Sequence, residues 1–314
     1  MTTSRPDGQT ISGFGLGLAV AANAWWGLSP IFWKQLSSVA SFDAVAHRVV
    51  WSALLLAVVH TVQRRWSNFG AVVRNRRNLL VGACTAVLLF INWAIFVWAV
   101  GEGRVIESAL GYFLNPLVSV LLGRLVFAER LRPVQWMSVG LAAIGVVWLT
   151  IDLGTLPWVA LSLGGSFGLY GALRKSASFE ALDGLSLEVG YLMLPLAAYL
   201  VVKQVGDTPT VEAGDLRVVI LLLLTSVVTT VPLLAFARAV RLVPLSMVGI
   251  VQYLNPTLQF LVGVVLYGEA FRGGQVLGYS IIWIGLAIFA TESFIHSRAP
   301  ASVPATPQET RSTV

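Results

Sequence analysis

Ten apolar runs, each near the roughly 20 residues a helix needs to cross hydrocarbon, follow one another along this chain and leave little sequence for anything else. Cut at charged or Pro/Gly-rich breaks, they lie near 12–33, 44–63, 79–100, 105–127, 134–151, 156–173, 186–202, 216–237, 244–267 and 274–295. Only helices and closed barrels satisfy the backbone inside a bilayer, and these runs lack the alternation of a barrel strand. The expected fold is an all-α integral membrane protein with ten transmembrane helices. Composition agrees. Charged residues make up 11% of the chain and hydrophobic residues 56%, whereas soluble domains carry about 25% charged residues. A cytosolic enzyme, a disordered polymer and, with Cys84 as the single cysteine, a disulfide scaffold are excluded.

The net charge of +6 is distributed as membrane topology. Arg64, Arg65, Arg74, Arg76 and Arg77 crowd one loop, and alternate loops carry Arg130 with Arg132, Arg174 with Lys175, and Arg238 with Arg241. Such loops face the cytoplasm. Arg5, Arg298 and Arg311 fall on the same side, which places both termini in the cytoplasm; Lys34, Arg104, Lys203, Arg217 and Arg272 fall outside. The basic residues form no aromatic-interleaved patch, so no nucleic-acid partner is expected. Ala22-Asn23-Ala24 imitates a signal cleavage site, but the apolar run continues through Trp33 and reads as a span of a plasma-membrane protein. Residues 1–11 form an N-terminal cytoplasmic segment, and 296–314 a disordered cytoplasmic tail.

A shift of 140 residues lays Leu114-Asn115-Pro116 on Leu254-Asn255-Pro256, and aligns Gly123 with Gly263, Glu129 with Glu269, Gln135 with Gln275 and Gly145 with Gly285. Shared apolar composition does not produce polar, glycine and proline matches, so a duplication is inferred. A shift of 141 puts Gly27-Leu28 on Gly168-Leu169. The expected repeats are 12–151 and 156–295, five helices each. An odd number inverts the second copy, placing Glu129 in the cytoplasm and Glu269 outside, the arrangement that supports alternating access.

Polar residues inside the runs mark the candidate site. In the fourth run Arg104, Ser108, Tyr112, Asn115 and Ser119 share roughly 80° of helical arc. Gln252, Asn255 and Gln259 repeat the pattern in the ninth, and Asn23, Trp26, Gly27, Pro30 and Lys34 align in the first. An unpaired amide in hydrocarbon costs several kcal/mol, so these faces meet each other or a solute pathway. Pro116 and Pro256, in matching positions of the two halves, break their helices where transporters bind solute, and Pro30 adds a third break. Asn92 and Trp93 belong to the same pathway, the deeper tryptophans Trp26 and Trp93 supplying flat walls while most others anchor at the interface. His47, Arg48 and Glu107 are the candidates for ion or charge coupling. Their alternatives are structural: Arg48 pairing with Asp43, and Glu107 with Arg104. Gly13/Gly17, Gly164/Gly168 and Gly274/Gly278 permit close helix contact, either internal or across a homodimer. No dinucleotide fingerprint, Walker lysine, metal-ligand spacing or activated nucleophile is found, so neither enzyme activity nor a cofactor or metal is expected.

The strings Trp26-Gly-Leu-Ser-Pro-Ile-Phe-Trp-Lys34, Ala46-His-Arg-Val-Val-Trp-Ser52, Ser108-Ala-Leu-Gly-Tyr-Phe-Leu-Asn-Pro-Leu117 and Gln252-Tyr-Leu-Asn-Pro-Thr-Leu-Gln-Phe260 resemble the RarD family over residues 12–295. That family lies in the EamA group of the drug/metabolite transporter superfamily. The resemblance implies ten helices in two inverted repeats, export of small metabolites, and a cavity among the first, third, fourth, sixth, eighth and ninth spans. It adds Tyr170 to the pathway residues. The expected activity is secondary transport, as an exporter, of a small organic metabolite or drug-like solute across the plasma membrane, by a protein whose other partner is membrane lipid. The rival reading is a non-transporting scaffold or receptor whose polar faces serve packing.

Overall fold

The computed structural model describes residues 12–127, 132–175, 177–206, 215–240, 242, 251–271 and 273–297. Its helices are α1 Gly13–Lys34, α2 Ser41–Val62, α3 Trp66–Arg74, α4 Arg76–Gly101, α5 Val105–Phe127, α6 Pro133–Leu153, α7 Trp158–Lys175, α8 Ala181–Val205, α9 Leu216–Val240, α10 Leu254–Leu261 and α11 Gly273–Ser297, with a π-helical turn at Val262–Leu266 after α10. No strand occurs among the described residues. Six helices, α2, α4, α6, α8, α9 and α11, are long and apolar enough to cross a membrane. The segment 1–11, Glu129, the start of the ninth run and the tail beyond Ser297 lie outside the described residues.

The helix ends follow local chemistry. Ser12 Oγ accepts the Gly15 amide, and Asn75 Oδ1 accepts those of Arg77 and Asn78, satisfying donors that the first turn leaves free. Pro133 opens α6 where no N–H is needed, and Gly154 closes it at φ 67°. Two boundaries differ from the sequence reading. Helix α8 begins at Ala181 rather than 186, because cutting at charges discarded Asp183, which suits the positive end of a helix. Helix α3 occupies the arginine-rich loop, held by Trp66 and Phe69, whose rings lie 5.4 and 5.3 Å from His60.

The molecule is apolar outside and polar within. Leu80, Ile151 and Leu194 are 70, 72 and 75% exposed, while Asn92 is buried and Ser108 and Glu188 wholly so. An exposed apolar surface of that extent is solvated by lipid. Since lipid tails give no hydrophobic drive for helices to meet, contact depends on small residues that let backbones approach. The principal neighbours are α6 with α11, α5 with α7, α1 with α9 and α10, α2 with α8 and α9, and α4 with α7. A Cβ at Gly111 of α5 would lie 2.8 Å from the Ala160 carbonyl of α7, and one at Gly164 3.1 Å from the Gly111 carbonyl. The Gly164/Gly168 and Gly274/Gly278 pairs thus serve internal contacts, with α5 and α6 respectively.

The close approaches recur at matched positions. A Cβ at Gly27 would lie 2.6 Å from Leu258 Cβ, and one at Gly168 3.3 Å from Val118 Cβ. One at Gly145 would lie 2.8 Å from the Gly278 carbonyl, and one at Gly285 3.0 Å from the Ser138 carbonyl. In each pair the second contact is the first with the chain halves exchanged at the 140–141 register. Charges follow suit. Asp43, opening α2, pairs with Lys203 at the end of α8, and Asp183, opening α8, lies 3.4 Å from Arg65, just past the end of α2. The two ties sit at opposite ends of the α2/α8 pair, since Asp43 and His60, the neighbour of Asp183, are separated along α2 by about 25 Å at 1.5 Å per residue.

Candidate functional site

Four helices build the first polar cluster. Asn92 of α4 donates to the Leu163 carbonyl at 3.1 Å and to Ser166 Oγ at 3.0 Å, both on α7, and accepts from the Tyr112 hydroxyl of α5 at 3.3 Å. Arg48 of α2 completes it: its guanidinium lies 4.0 Å from the centroid of Trp93 and 5.1 Å from that of Trp33, within electrostatic reach of Tyr112. Arg48 is buried, and its Nε has no hydrogen-bond partner among the described residues. The pairing of Arg48 with Asp43 is therefore corrected. Asp43 is held by Lys203 and by the Tyr199 hydroxyl at 2.7 Å, and Arg48 is attracted to the faces of the two indoles. His47 Nδ1 accepts from Trp51 Nε1 at 3.2 Å.

The second cluster lies where α10 meets α1 and α5. Gln259 donates to Asn255 Oδ1 at 2.8 Å, and its buried Oε1 has no partner among the described residues. Asn115 Oδ1, likewise buried and without a partner there, lies toward α7, 3.9 Å from where a Cβ on Gly164 would stand. The Asn255 carbonyl lies 2.9 Å from where a Cβ on Gly27 would stand, so α1 passes directly over the Asn255-Pro256 break. Tyr267 donates to the Pro30 carbonyl at 3.3 Å; the expected breaks at Pro30 and Pro116 are not seen, since α1 and α5 run on as helix through both prolines. Trp26 is half-buried, its ring 5.5 Å from that of Phe236 on α9. Asn23 and Ser108 turn back on their own helices, bonding the Ala19 and Arg104 carbonyls, and Gln252 is exposed; these three join neither cluster through their side-chain bonds. Pro116 lies half-buried in α5 beside Asn115.

Glu107 bridges. One carboxylate oxygen accepts from Arg104 Nε at 2.8 Å and the other from the Val159 amide at the start of α7 at 3.1 Å. Nearby, Glu269 accepts from the amides of Val105 and Ile106 at 2.7 and 2.8 Å, tying the segment after α10 to the first turn of α5. Burial raises the Glu269 carboxyl above its ordinary value although those amides and Lys34 pull the other way. At the other end of the bundle, the hydrogen bond from Arg65 to Glu180 at 2.8 Å raises the Arg65 guanidinium further.

Three buried carboxylates escaped the sequence reading, Asp183, Glu292 and Glu188. Glu188 of α8 has no exposed surface; it accepts from the Tyr170 hydroxyl at 3.3 Å and lies 3.7 Å from Arg174 Nη1. The 140-residue register places it on Arg48, which would have drawn attention to it.

The model of the EamA-like transporter family matches residues 13–151. An uncharacterised transporter of Vibrio cholerae is 41% identical over 280 residues, covering 88% of this chain and 92% of that one. A protein RarD of Salmonella typhimurium is 37% identical over 286 residues, 90% of this chain and 97% of its own length. A crystal structure only 17% identical shares the fold, with a TM-score of 0.56 over 90% of this chain and 98% of that one. Together with the lipid-facing exterior, these likenesses establish that the chain is a multi-pass membrane transporter belonging to the RarD family of EamA-like transporters.

Proposed function

We propose that this transporter is a secondary exporter of a small organic metabolite or drug-like solute, working by alternating access between two inverted five-helix repeats with ten spans in all. The observation that carries this reading is the recurrence of the glycine approaches Gly27/Leu258 with Gly168/Val118, and Gly145/Gly278 with Gly285/Ser138. Helices related in that way can exchange packing arrangements, and the exchange opens one buried site first to one side and then to the other. The solute would pass between the Asn92–Tyr112 cluster, with Asn115 on the same helix as Tyr112, and the Asn255–Gln259 pair, the unpartnered amide oxygens of Asn115 and Gln259 accepting its donors. Arg48 would meet an anionic or electron-rich group, and Trp93 an apolar face. Both termini would lie in the cytoplasm, beside the arginine-rich loops. Gly13 and Gly17, with nothing within 4 Å of their Cβ positions, are the pair available to a homodimer.

A thermal-shift screen of the purified protein against metabolites identifies the solute, since a ligand at a hundredfold its Kd stabilises by about 2.7 kcal/mol. Flux of that solute in proteoliposomes should then saturate, and should drop at least tenfold in Asn115→Leu and Asn255→Leu while both variants remain inserted. Unchanged flux in both removes the site, and a bound solute without flux favours a receptor.

A further inference from the structure

Glu188 lies in a pocket made for an exchange of charge. Arg174, in the last turn of α7, sends its guanidinium inward rather than to the nearby water. It can do so because residue 184, one turn before Glu188 on α8, is glycine. A Cβ there would overlap the guanidinium, so Gly184 forms the notch in which Arg174 rests. The fit is loose. Nη1 stands 3.7 Å from Glu188 Oε1, neither atom has a hydrogen-bond partner among the described residues, and Nη2 donates to the Ala181 carbonyl at 3.5 Å. Beyond Arg174, Glu188 faces Tyr170 on α7 and the Thr85 hydroxyl on α4. His60 of α2 bonds Ser186 instead, at 2.9 Å, and Asp183 on α8 itself is held by Arg65.

Two long-range facts give this pair a consequence. An arginine at a helix end can withdraw to water along its own alkyl stem, whereas Glu188, with no exposed surface, cannot follow. A carboxylate left alone there is too costly to persist, so departure of the guanidinium requires arrival of a proton. The pocket is also linked to the solute clusters. The Tyr170 ring lies 5.7 Å from Phe167, which lies 6.3 Å from Tyr112, the partner of Asn92.

We propose that Glu188 is a proton-binding site of this transporter, loaded when the Arg174 guanidinium leaves the Gly184 notch. The proton comes from a hydronium ion at the arginine-rich end: one hydronium O–H bond breaks, leaving water, one O–H bond forms on Oε1, and the positive charge delivered replaces the one withdrawn. The coupling of this site to solute movement rests on the transport reading above; the site itself does not.

Infrared titration of the full chain in liposomes without solute tests it. The protonated-carboxyl stretch should include a titrating component that is lost in Glu188→Gln and kept in Asp43→Asn. Gly184→Ala moves only the flexible tip of Arg174 and keeps Glu188; its titration midpoint should rise by about one to three pH units, the effect of removing a neighbouring cation. Arg174→Gln should do the same. An unchanged titrating band in Glu188→Gln overturns the proposal, as does a wild-type midpoint in Gly184→Ala, which decides alone if Glu188→Gln fails to insert. A titrating Glu188 without flux would remove the transport reading, and flux without it would remove the proton site.

Discussion

At the scale of single residues, the energetics turn on a few buried polar groups. Asn92 uses both ends of its amide, and Asn92→Leu leaves the Leu163 carbonyl, Ser166 and Tyr112 short of a partner. The expected loss is about 1–3 kcal/mol, read as a lower unfolding midpoint in detergent. Arg48→Lys keeps the charge but exchanges a plane lying over Trp93 for a point, and should cost about 0.5–2 kcal/mol in the same assay. Glu269 gives a pH signature. Its carboxyl is raised, so the fold favours the neutral form; this contribution is complete below the ordinary carboxylate range and fades as pH rises through the raised value. Between about pH 5 and about pH 7 the wild-type unfolding midpoint should therefore fall more than that of Glu269→Gln, and equal slopes would contradict the assignment. Sequence reasoning singled out Asn92, Asn115 and Gln259 as polar groups within the spans, because an amide within an apolar run announces itself. It misjudged Arg48, whose indole Trp93 lies 45 positions away and is brought near only by the packing of α2 on α4.

At the scale of elements, periodicity and length located the helices well. The fourth run, 105–127, coincides with α5. What failed was the use of charge as a boundary: Asp183 and Arg76 lie within α8 and α4, since a helix end at the interface tolerates charge. Helix α3 was missed because nine residues between arginines have too little apolar length to register, although Trp66 and Phe69 are one turn apart. Glycines likewise need the structure to be sorted. Gly111→Ala meets Ala160 and Leu163 of α7, and should destabilise by about 1–3 kcal/mol. Gly17→Ala meets nothing within 4 Å and should leave the unfolding midpoint unchanged or slightly higher. A thermal melt of the two variants side by side separates a packing glycine from a free one.

At the scale of the whole molecule, the expected inversion predicts sidedness. In a Cys84→Ser background, single cysteines replacing Glu129 and Glu269 should react with an impermeant maleimide from opposite faces of the membrane; labelling from one face would end the inverted-repeat reading. The matches behind the expected duplication were legible because they are polar and glycine residues rather than shared apolar ones. That Gly27 and Gly168 make equivalent contacts was not, because a contact between distant segments leaves no mark at fixed spacing. The ties Asp43–Lys203 and Asp183–Arg65 close opposite ends of one helix pair, yet each is written by its own stretch of gene. In an assembly of two identical five-helix chains, one mutation would alter both entrances together. In the single chain of the proposed alternating-access cycle, inheritance can tighten one entrance and loosen the other, so that proposal puts a resting bias toward either compartment within reach of a single codon change.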